Sequence, residues 1–298
     1  MARSIPNSVL FALVAPLATV PVLLWPVADI KAAAPVPELS GSWARTTFAL
    51  EPPLHGGQGP LRDSQRRRDD EPAYKSPLLT PQAAALSKQR YESVQNGKPY
   101  ATPSSTCWPI VSPLVFRVQE MQLLQGKDHV TFVYMQDHEV RRVRLNATHP
   151  EHVSPSWTGD SVGHYEGDTL VVDTVGVKVG PVPVIDQAGS PFSEALHVVE
   201  RYRLISYEDA KAASDRNVAV NGPPGTRQAA SVDENYKGEG LQVEFTVTDP
   251  NVFKQSWSGS ATYGKADNIW VENVCAENMH EYYFNRESSV PTADKPDF

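Results

Sequence analysis

Residues 159–176, GDSVGHYEGDTLVVDTVG, place two aspartates, a histidine and a glutamate in front of an apolar run. The first five match G-x-S-x-G, in which a serine on a strained strand-to-helix turn acts as an acyl nucleophile. Downstream, Asp173 or Asp186 followed by His197 reproduces the residue order of a hydrolase triad. The residues after Ser161, however, have the pattern of a hairpin. A structural hairpin is therefore favoured, and serine hydrolysis is kept as a subordinate hypothesis.

Two histidines on predicted strands are candidates for proton transfer, because histidine titrates near neutral pH without strong perturbation. His197 is the first candidate, and Arg201 lies on the same side of its strand, where it would hold a carboxylate or an enolate-like oxygen. His164 is the second, with Glu166 on the same face by the two-residue period of a strand. Glu244 would face His197 if their strands are neighbours. Each residue also has a purely structural interpretation, in which it pairs with a neighbour or caps a turn.

Aromatic side chains supply the expected substrate contacts, because aromatics at the mouth of a barrel bind flat organic molecules. Tyr165, Tyr202 and Trp257 are the residues assigned this role. Metal binding is not expected, because His149 and His152 flank a proline and have no defined third ligand. We therefore predict neither a metal nor a cofactor.

Strands must position these residues. Two β-rich pairs, each joined by a short turn, predict hairpins, and further alternating runs bring the total to about eight strands. This pattern predicts a mainly β domain, 107–298, in which an antiparallel meander closes into a lipocalin-like barrel. The mixed polar faces of the strands either line an internal cavity or meet water. The predicted strands are 129–135, 139–145, 161–166, 169–175, 195–205, 241–249, 256–263 and 268–275.

Two segments flank or interrupt this pattern. Residues 35–106 are rich in proline, glycine and charge and predict an irregular arm. The arm contains one short helix, 81–96, for which Thr80 is the expected N-cap. Residues 206–240 predict a long inserted loop with a helical turn at Tyr207–Ala213. Loops of this length in compact domains are lids, binding loops or disordered segments.

The amino terminus has the features of an export signal. An apolar segment, Val9–Ala28, follows Arg3 and precedes an A-x-A cleavage pattern at Ala32 and Ala34. The alternative is an uncleaved membrane anchor. We predict a signal peptide at 1–34 and a periplasmic or secreted protein.

Cysteine content and charge agree with that compartment. The two cysteines, Cys107 and Cys275, are expected to form a disulfide in an oxidising compartment. The net charge of −8 argues against a nucleic-acid or anionic-membrane partner, because such partners need clustered cations. The expected partner is a small molecule, and the oligomeric state is open.

Longer segments resemble a known family. WTGDSVGHYEGDTLVVDTVG, GSPFSEALHVVERYRL and VTDPNVFKQSW, with both cysteine segments, are similar to a widespread family of exported bacterial proteins. Its pattern reads W-x-G-D-S-x-G-x-W-E-G-D-T-L-V-V-D-T, and it has no general function assigned. The resemblance implies export and a β-rich barrel, but no reaction. His164, Tyr165 and the insertion 206–240 depart from the family pattern.

These observations lead to three functional expectations. The first is an exported enzyme, a lyase or isomerase, that performs cofactor-free elimination, isomerisation or hydration on an organic substrate in a barrel cavity. The second is a non-catalytic binding protein for a hydrophobic small molecule, favoured by the lack of a strong catalytic motif. The third is a serine hydrolase that uses Ser161.

Overall fold

The computed structural model describes residues 36–45, 47, 49–61, 72–98, 101–117, 120–186, 188–222, 232–233, 235–266 and 274–275. The predicted signal peptide lies outside these residues, and so does nearly all of the strand predicted at 268–275. Within the described residues, no helix is long and apolar enough to cross a bilayer.

Nine strands form one closed barrel in the described part of the chain. Each strand pairs with the next along the chain, and the last pairs with the first. The predicted mainly β barrel is therefore confirmed. The strands are β1 (Gly41–Ala44), β2 (Glu120–Gln125), β3 (His129–Tyr134), β4 (Val140–Leu145), β5 (Asp160–Glu166), β6 (Thr169–Val175), β7 (His197–Ile205), β8 (Gly240–Thr248) and β9 (Trp257–Lys265).

One pairing departs from the predicted antiparallel meander. β4 and β5 run parallel, with Val143 opposite Ser161 and Leu145 opposite Gly163. A parallel pair needs a crossover of a dozen or more residues, and the connection at 146–159 has that length. Alternation within a strand does not encode the direction of its neighbour, so the prediction was wrong at this pairing.

The N-terminal arm is not wholly irregular, because it contributes β1. This strand pairs with β2 on one side and with β9 on the other, and so closes the barrel. Its four residues carry too little alternation to be recognised as a strand. The predicted helix is present as α1 (Pro81–Gln95), and the Thr80 side chain accepts a hydrogen bond from the Ala83 N–H.

A second helix, α2 (Tyr207–Asn221), fills much of the predicted inserted loop. The Ser206 side chain caps it by accepting the Asp209 N–H, and the helix continues well past the predicted turn at Tyr207–Ala213. The prediction of a single helix was therefore wrong. Gly240 lets α2 approach the barrel, because a Cβ atom there would lie 2.8 Å from the Ala210 Cβ.

The barrel interior is a packed core. Phe116 lies on a short 3₁₀ turn that follows the 101–113 segment, and its ring is 5.5 Å from Phe245 and 6.4 Å from Tyr202. Phe132 completes the group at 5.1 Å from Tyr202. These aromatic contacts cross the interior and occupy the space that a lipocalin-like ligand cavity would need.

The predicted disulfide is present. Cys107 and Cys275 are bonded, with their Cα atoms 5.5 Å apart, across a sequence separation of 168 residues. The bond ties the chain beyond the last strand of the barrel to the segment that precedes β2.

Candidate functional site

The four predicted catalytic residues lie on the outer face of the barrel. The side chains of His197, His164, Arg201 and Glu244 are between 25% and 54% exposed. The expectation that they line an internal cavity was therefore wrong. Strand β7 instead turns its other face inward, because that face carries three large side chains with apolar surface, Val198, Tyr202 and Leu204, alongside Glu200.

Pairing on the outer face also differs from the expectation for Glu244. It lies opposite Arg201, whereas His197 lies opposite Thr248. The expected neighbours His164 and Glu166 do meet, with 3.1 Å between the His164 Nε2 and Glu166 Oε1 atoms. Glu166 also accepts a 2.6 Å hydrogen bond from Arg201.

Two of the three predicted substrate-binding aromatics are core residues. Tyr202 is fully buried, and its hydroxyl donates to Glu200. Trp257 is buried between Phe245 and Phe253 at ring distances of 5.9 and 5.8 Å. Neither ring is accessible to a ligand from solvent, so the expected ligand contact is wrong for both. Tyr165 is half-buried, and its hydroxyl accepts a hydrogen bond from Gln125.

A buried ion pair crosses the barrel interior between β4 and β7. The Arg141 Nη1 atom lies 2.9 and 2.8 Å from the two Glu200 carboxylate oxygens. Burial disfavours the charged guanidinium, but the negative charge of Glu200 outweighs this and raises the pKa of Arg141. Ser112 and Tyr202 also donate to the Glu200 carboxylate. The network is satisfied by side chains from separate strands and from the segment before β2.

Ser161 belongs to this buried network. Its side chain is 3% exposed, and its Oγ accepts a 3.0 Å hydrogen bond from Arg141 Nε and contacts Thr174. The serine lies within β5, which continues into a hairpin with β6. The strand-to-helix turn that exposes a nucleophilic serine is therefore missing, and the structure does not support the hydrolase interpretation.

A chain of ionisable side chains runs over the outer face from β4 to β7. The His197 Nε2 atom is 2.9 Å from Asp173 Oδ1, and the same oxygen is 3.1 Å from His149 Nε2. The other ring nitrogen of His149 is 2.6 Å from Asp160, which Arg144 binds through both carboxylate oxygens at 2.8 Å. The sequence does not predict the two carboxylate partners of His149, because these contacts depend on the path of the crossover loop between β4 and β5.

His149 lies between two carboxylates, one at each ring nitrogen. Burial lowers the pKa of His149, but its hydrogen bonds to Asp160 and Asp173 outweigh that effect and raise the pKa overall. The two hydrogen bonds of the ring tie the crossover loop to β5 and β6. Within the described residues, no group of three histidine, cysteine or acidic side chains has a geometry that could hold a metal ion.

A groove lies between α2 and the outer face of the barrel. We call it the α2 groove, and its volume is about 830 Å³. One wall is α2, the other is the segment Glu51–Leu54, and the floor is formed by the outward residues of β7, β8 and β9. The polar or charged residues of its lining are Glu51, Arg203, Ser206, Asp209, Arg216, Asn217, Gln242 and Ser260.

The residues of the α2 groove were missed by the sequence analysis as a site. The insertion 206–240 was recognised as a feature typical of binding loops, and alternation placed Arg203 on the same strand face as Arg201. Alternation along a strand does not predict the position of α2, and it is α2 that brings Arg216 and Asn217 over that face.

The described residues form a closed nine-stranded β-barrel with a packed interior and a helix-walled groove on its outer surface. Comparison with protein-family models, with curated proteins and with solved structures finds no match for the chain.

Proposed function

We propose that this protein binds a small organic molecule in the α2 groove. The observation that supports the proposal is the groove itself, whose volume of about 830 Å³ is in the range of small-molecule sites, roughly 300–1,000 Å³. Binding sites of this kind combine apolar walls with a few polar groups that orient the ligand. The groove has this composition.

The apolar part of the lining comes from both walls. Pro52, Pro53 and Leu54 form one side, and Ala213 and Val220 of α2 lie in the other. The packed aromatic residues of the barrel leave the interior unsuited to a ligand, so the groove replaces the barrel cavity as the proposed binding site.

We also propose that the protein acts outside the cytoplasm, in the periplasm or as a secreted protein. The Cys107–Cys275 disulfide supports this compartment, because structural disulfides persist in oxidising environments. The apolar segment near the amino terminus supports it as well. The similarity of several sequence segments to a family of exported bacterial proteins is a further reason to propose export.

Native mass spectrometry after incubation with an extract of small molecules tests the binding proposal. Ala219 lines the groove from an exposed helical position, so Ala219→Trp would fill the groove with little effect on the core. Ala212 is exposed on the same helix outside the lining, and Ala212→Trp is the matched control. We expect the mass of a bound molecule in the wild type and in the control, but not in Ala219→Trp. Equal recovery from both variants would exclude the groove as the site.

A second candidate function, acid/base catalysis by an exported lyase or isomerase, is favoured by the His197–Asp173 contact. A carboxylate hydrogen-bonded to a half-exposed imidazole is the arrangement of a general base. Arg201 and Glu244 lie opposite each other on the same outer face, where they would stabilise developing charge. This chemistry needs no cofactor.

Its test is turnover of a molecule recovered by ligand binding. We expect His197→Ala and Asp173→Asn to lower the rate by a factor of about 10²–10⁴, the usual contribution of a general base. His129 is a surface histidine on another strand, and His129→Ala is the control. Undiminished turnover in both His197→Ala and His164→Ala would rule out the acid/base proposal.

A further inference from the structure

We infer that the ligand of the α2 groove carries an anionic group, a carboxylate or a phosphoryl group, bound by Arg203, Arg216, Asn217 and Gln242. This inference rests on the proposed function and specifies its ligand. Most of the side-chain hydrogen-bonding groups of the groove that are left without a partner are donors.

The two arginines of the groove are not neutralised. Arg203 and Arg216 are both exposed, and within the described residues neither has a carboxylate within ion-pair distance. Arg201, two residues before Arg203 on the same strand face, is paired with Glu166 at 2.6 Å. The protein as a whole has a net charge of −8, so two unpaired guanidinium groups in one groove run against its overall charge.

Gln242 supplies a further donor, and its amide orientation is determined by its partner. Arg203 approaches the Gln242 side chain with Nε at 3.3 Å and Nη2 at 2.8 Å. A guanidinium can only donate, so the amide atom that it contacts must be oxygen. The Nε2 donor of Gln242 therefore remains, and no described residue accepts from it. The residue as a whole is 4% exposed and lines the groove, and its amide nitrogen is not one of the fully buried atoms without a partner, so the donor is open to an acceptor in the groove.

Asn217 also has an amide donor without a partner, and the orientation of its amide follows from its contact with Asn221. The Asn221 Nδ2 atom donates to the Leu50 carbonyl at 3.3 Å and to Asn217 at 2.6 Å. Because the Leu50 carbonyl can only accept, the Asn221 atom is nitrogen and the contacting Asn217 atom is oxygen. This leaves the Asn217 Nδ2 donor without a partner among the described residues, and because the atom is not one of the fully buried ones it is open to an acceptor in the groove.

Most side-chain acceptors of the groove are already engaged, and the exception is one oxygen of the Asp209 carboxylate. The Glu51 carboxylate binds Arg45 at 2.8 Å and accepts the N–H and hydroxyl of Thr262. Asp209 accepts the Ser206 hydroxyl at the start of α2. The groove therefore presents two cations and two amide donors against one acidic side chain, Asp209, that has no basic partner, so its charge is positive and a ligand with acceptors and negative charge complements it.

Isothermal titration calorimetry with three naphthalene probes tests this inference on the full exported chain. 2-Naphthoate and 2-naphthyl phosphate carry the two anionic groups, and 2-naphthamide has the same ring without charge. We expect both anions to bind at least about tenfold more tightly than the amide, since a charge-assisted hydrogen bond is worth about that factor. Either anion alone would support the inference and identify which group the site prefers.

Variants locate the effect. Arg203→Gln and Arg216→Gln are each expected to weaken anion binding by about tenfold and to leave amide binding unchanged. Arg142→Gln, an exposed strand arginine outside the groove lining, is the matched control and should bind like the wild type. Circular dichroism establishes that all three variants are folded.

The inference is overturned if the amide binds as tightly as the anions, if neither anion binds, or if both groove variants bind like Arg142→Gln. If 2-naphthamide binds as tightly as the anions and Ala219→Trp abolishes that binding, the proposed function stands and this inference fails. Absence of all probe binding, together with equal ligand recovery from Ala219→Trp and Ala212→Trp, would reject both.

Discussion

Substitution of Glu200 by glutamine tests whether the buried Arg141–Glu200 ion pair stabilises the folded barrel. Glutamine preserves the volume of the side chain, so packing should change little. It replaces one carboxylate oxygen by an NH₂ group. A hydrogen-bond donor then faces the donor groups of Arg141, Ser112 or Tyr202, and at least one of these hydrogen bonds is lost. The Arg141 charge then remains buried without a counter-ion.

The expected cost follows from this geometry. Removing one partner of a buried ion pair costs about 3–5 kcal/mol, because the remaining charge is uncompensated. For a domain of this size, 1 kcal/mol lowers the melting temperature by about 2–4 °C, so the expected decrease is about 6–20 °C. Glu166, which binds Arg201 on the exposed outer face, provides the control. Exposed pairs contribute little, so Glu166→Gln should leave stability nearly unchanged.

Urea unfolding at pH 7 with the disulfide intact measures the difference. We expect a large fall in the midpoint of Glu200→Gln, with an unchanged slope of free energy against urea. A decrease indistinguishable from that of Glu166→Gln would refute the reasoning, because it would mean that the Arg141 charge is solvated or finds another partner.

Three further predictions concern other parts of the molecule. Replacing Cys107 and Cys275 by serine should lower the free energy of unfolding by about 5 kcal/mol in the chain-entropy model, measured by urea unfolding against the oxidised wild type. Burial raises the pKa of Asp186 from 3.8 to about 6, so the folded state binds more protons than the unfolded state, and wild-type stability should fall as pH rises through this window. Asp186→Asn should lack that part of the decline in a pH series of unfolding curves, and identical pH profiles would contradict it. The raised pKa of His149 has the opposite sign: its contribution is complete below the ordinary value of 6.5 and is lost as pH rises through the folded-state pKa. The stability deficit of His149→Asn should therefore be larger at pH 6 than at pH 9, and a pH-independent deficit would contradict the assignment.

Alternating patterns predicted the hairpins well, because a hairpin is a local structure. The β3–β4 and β5–β6 hairpins were identified from their β-rich runs and short turns. The same patterns did not reveal β1, which has only four residues, or β2, and they gave the wrong direction for the β4–β5 pairing. Strand direction across a crossover depends on the path of 146–159 through space, and no local pattern records it.

For the candidate site, residue types were recognised more reliably than their positions. His164 and Glu166 meet as their two-residue spacing predicted. His197 does contact a carboxylate, but it is Asp173 on the neighbouring strand rather than Glu244. The partner of a strand residue depends on the register between strands, which single-strand patterns do not contain.

The amino-acid sequence by itself determined the local features: the two hairpins, the start of α1 at Thr80 and a pair of cysteines able to form a disulfide. Only the tertiary structure decided which face of each strand is inside. Alternation has the same period for both faces, and an acidic residue such as Glu200 normally marks the solvent side. Here Arg141, on a strand distant in sequence, neutralises Glu200 and allows that face to be buried. This choice turned His197 and Arg201 outward, so the groove beneath α2 is the proposed site for a ligand.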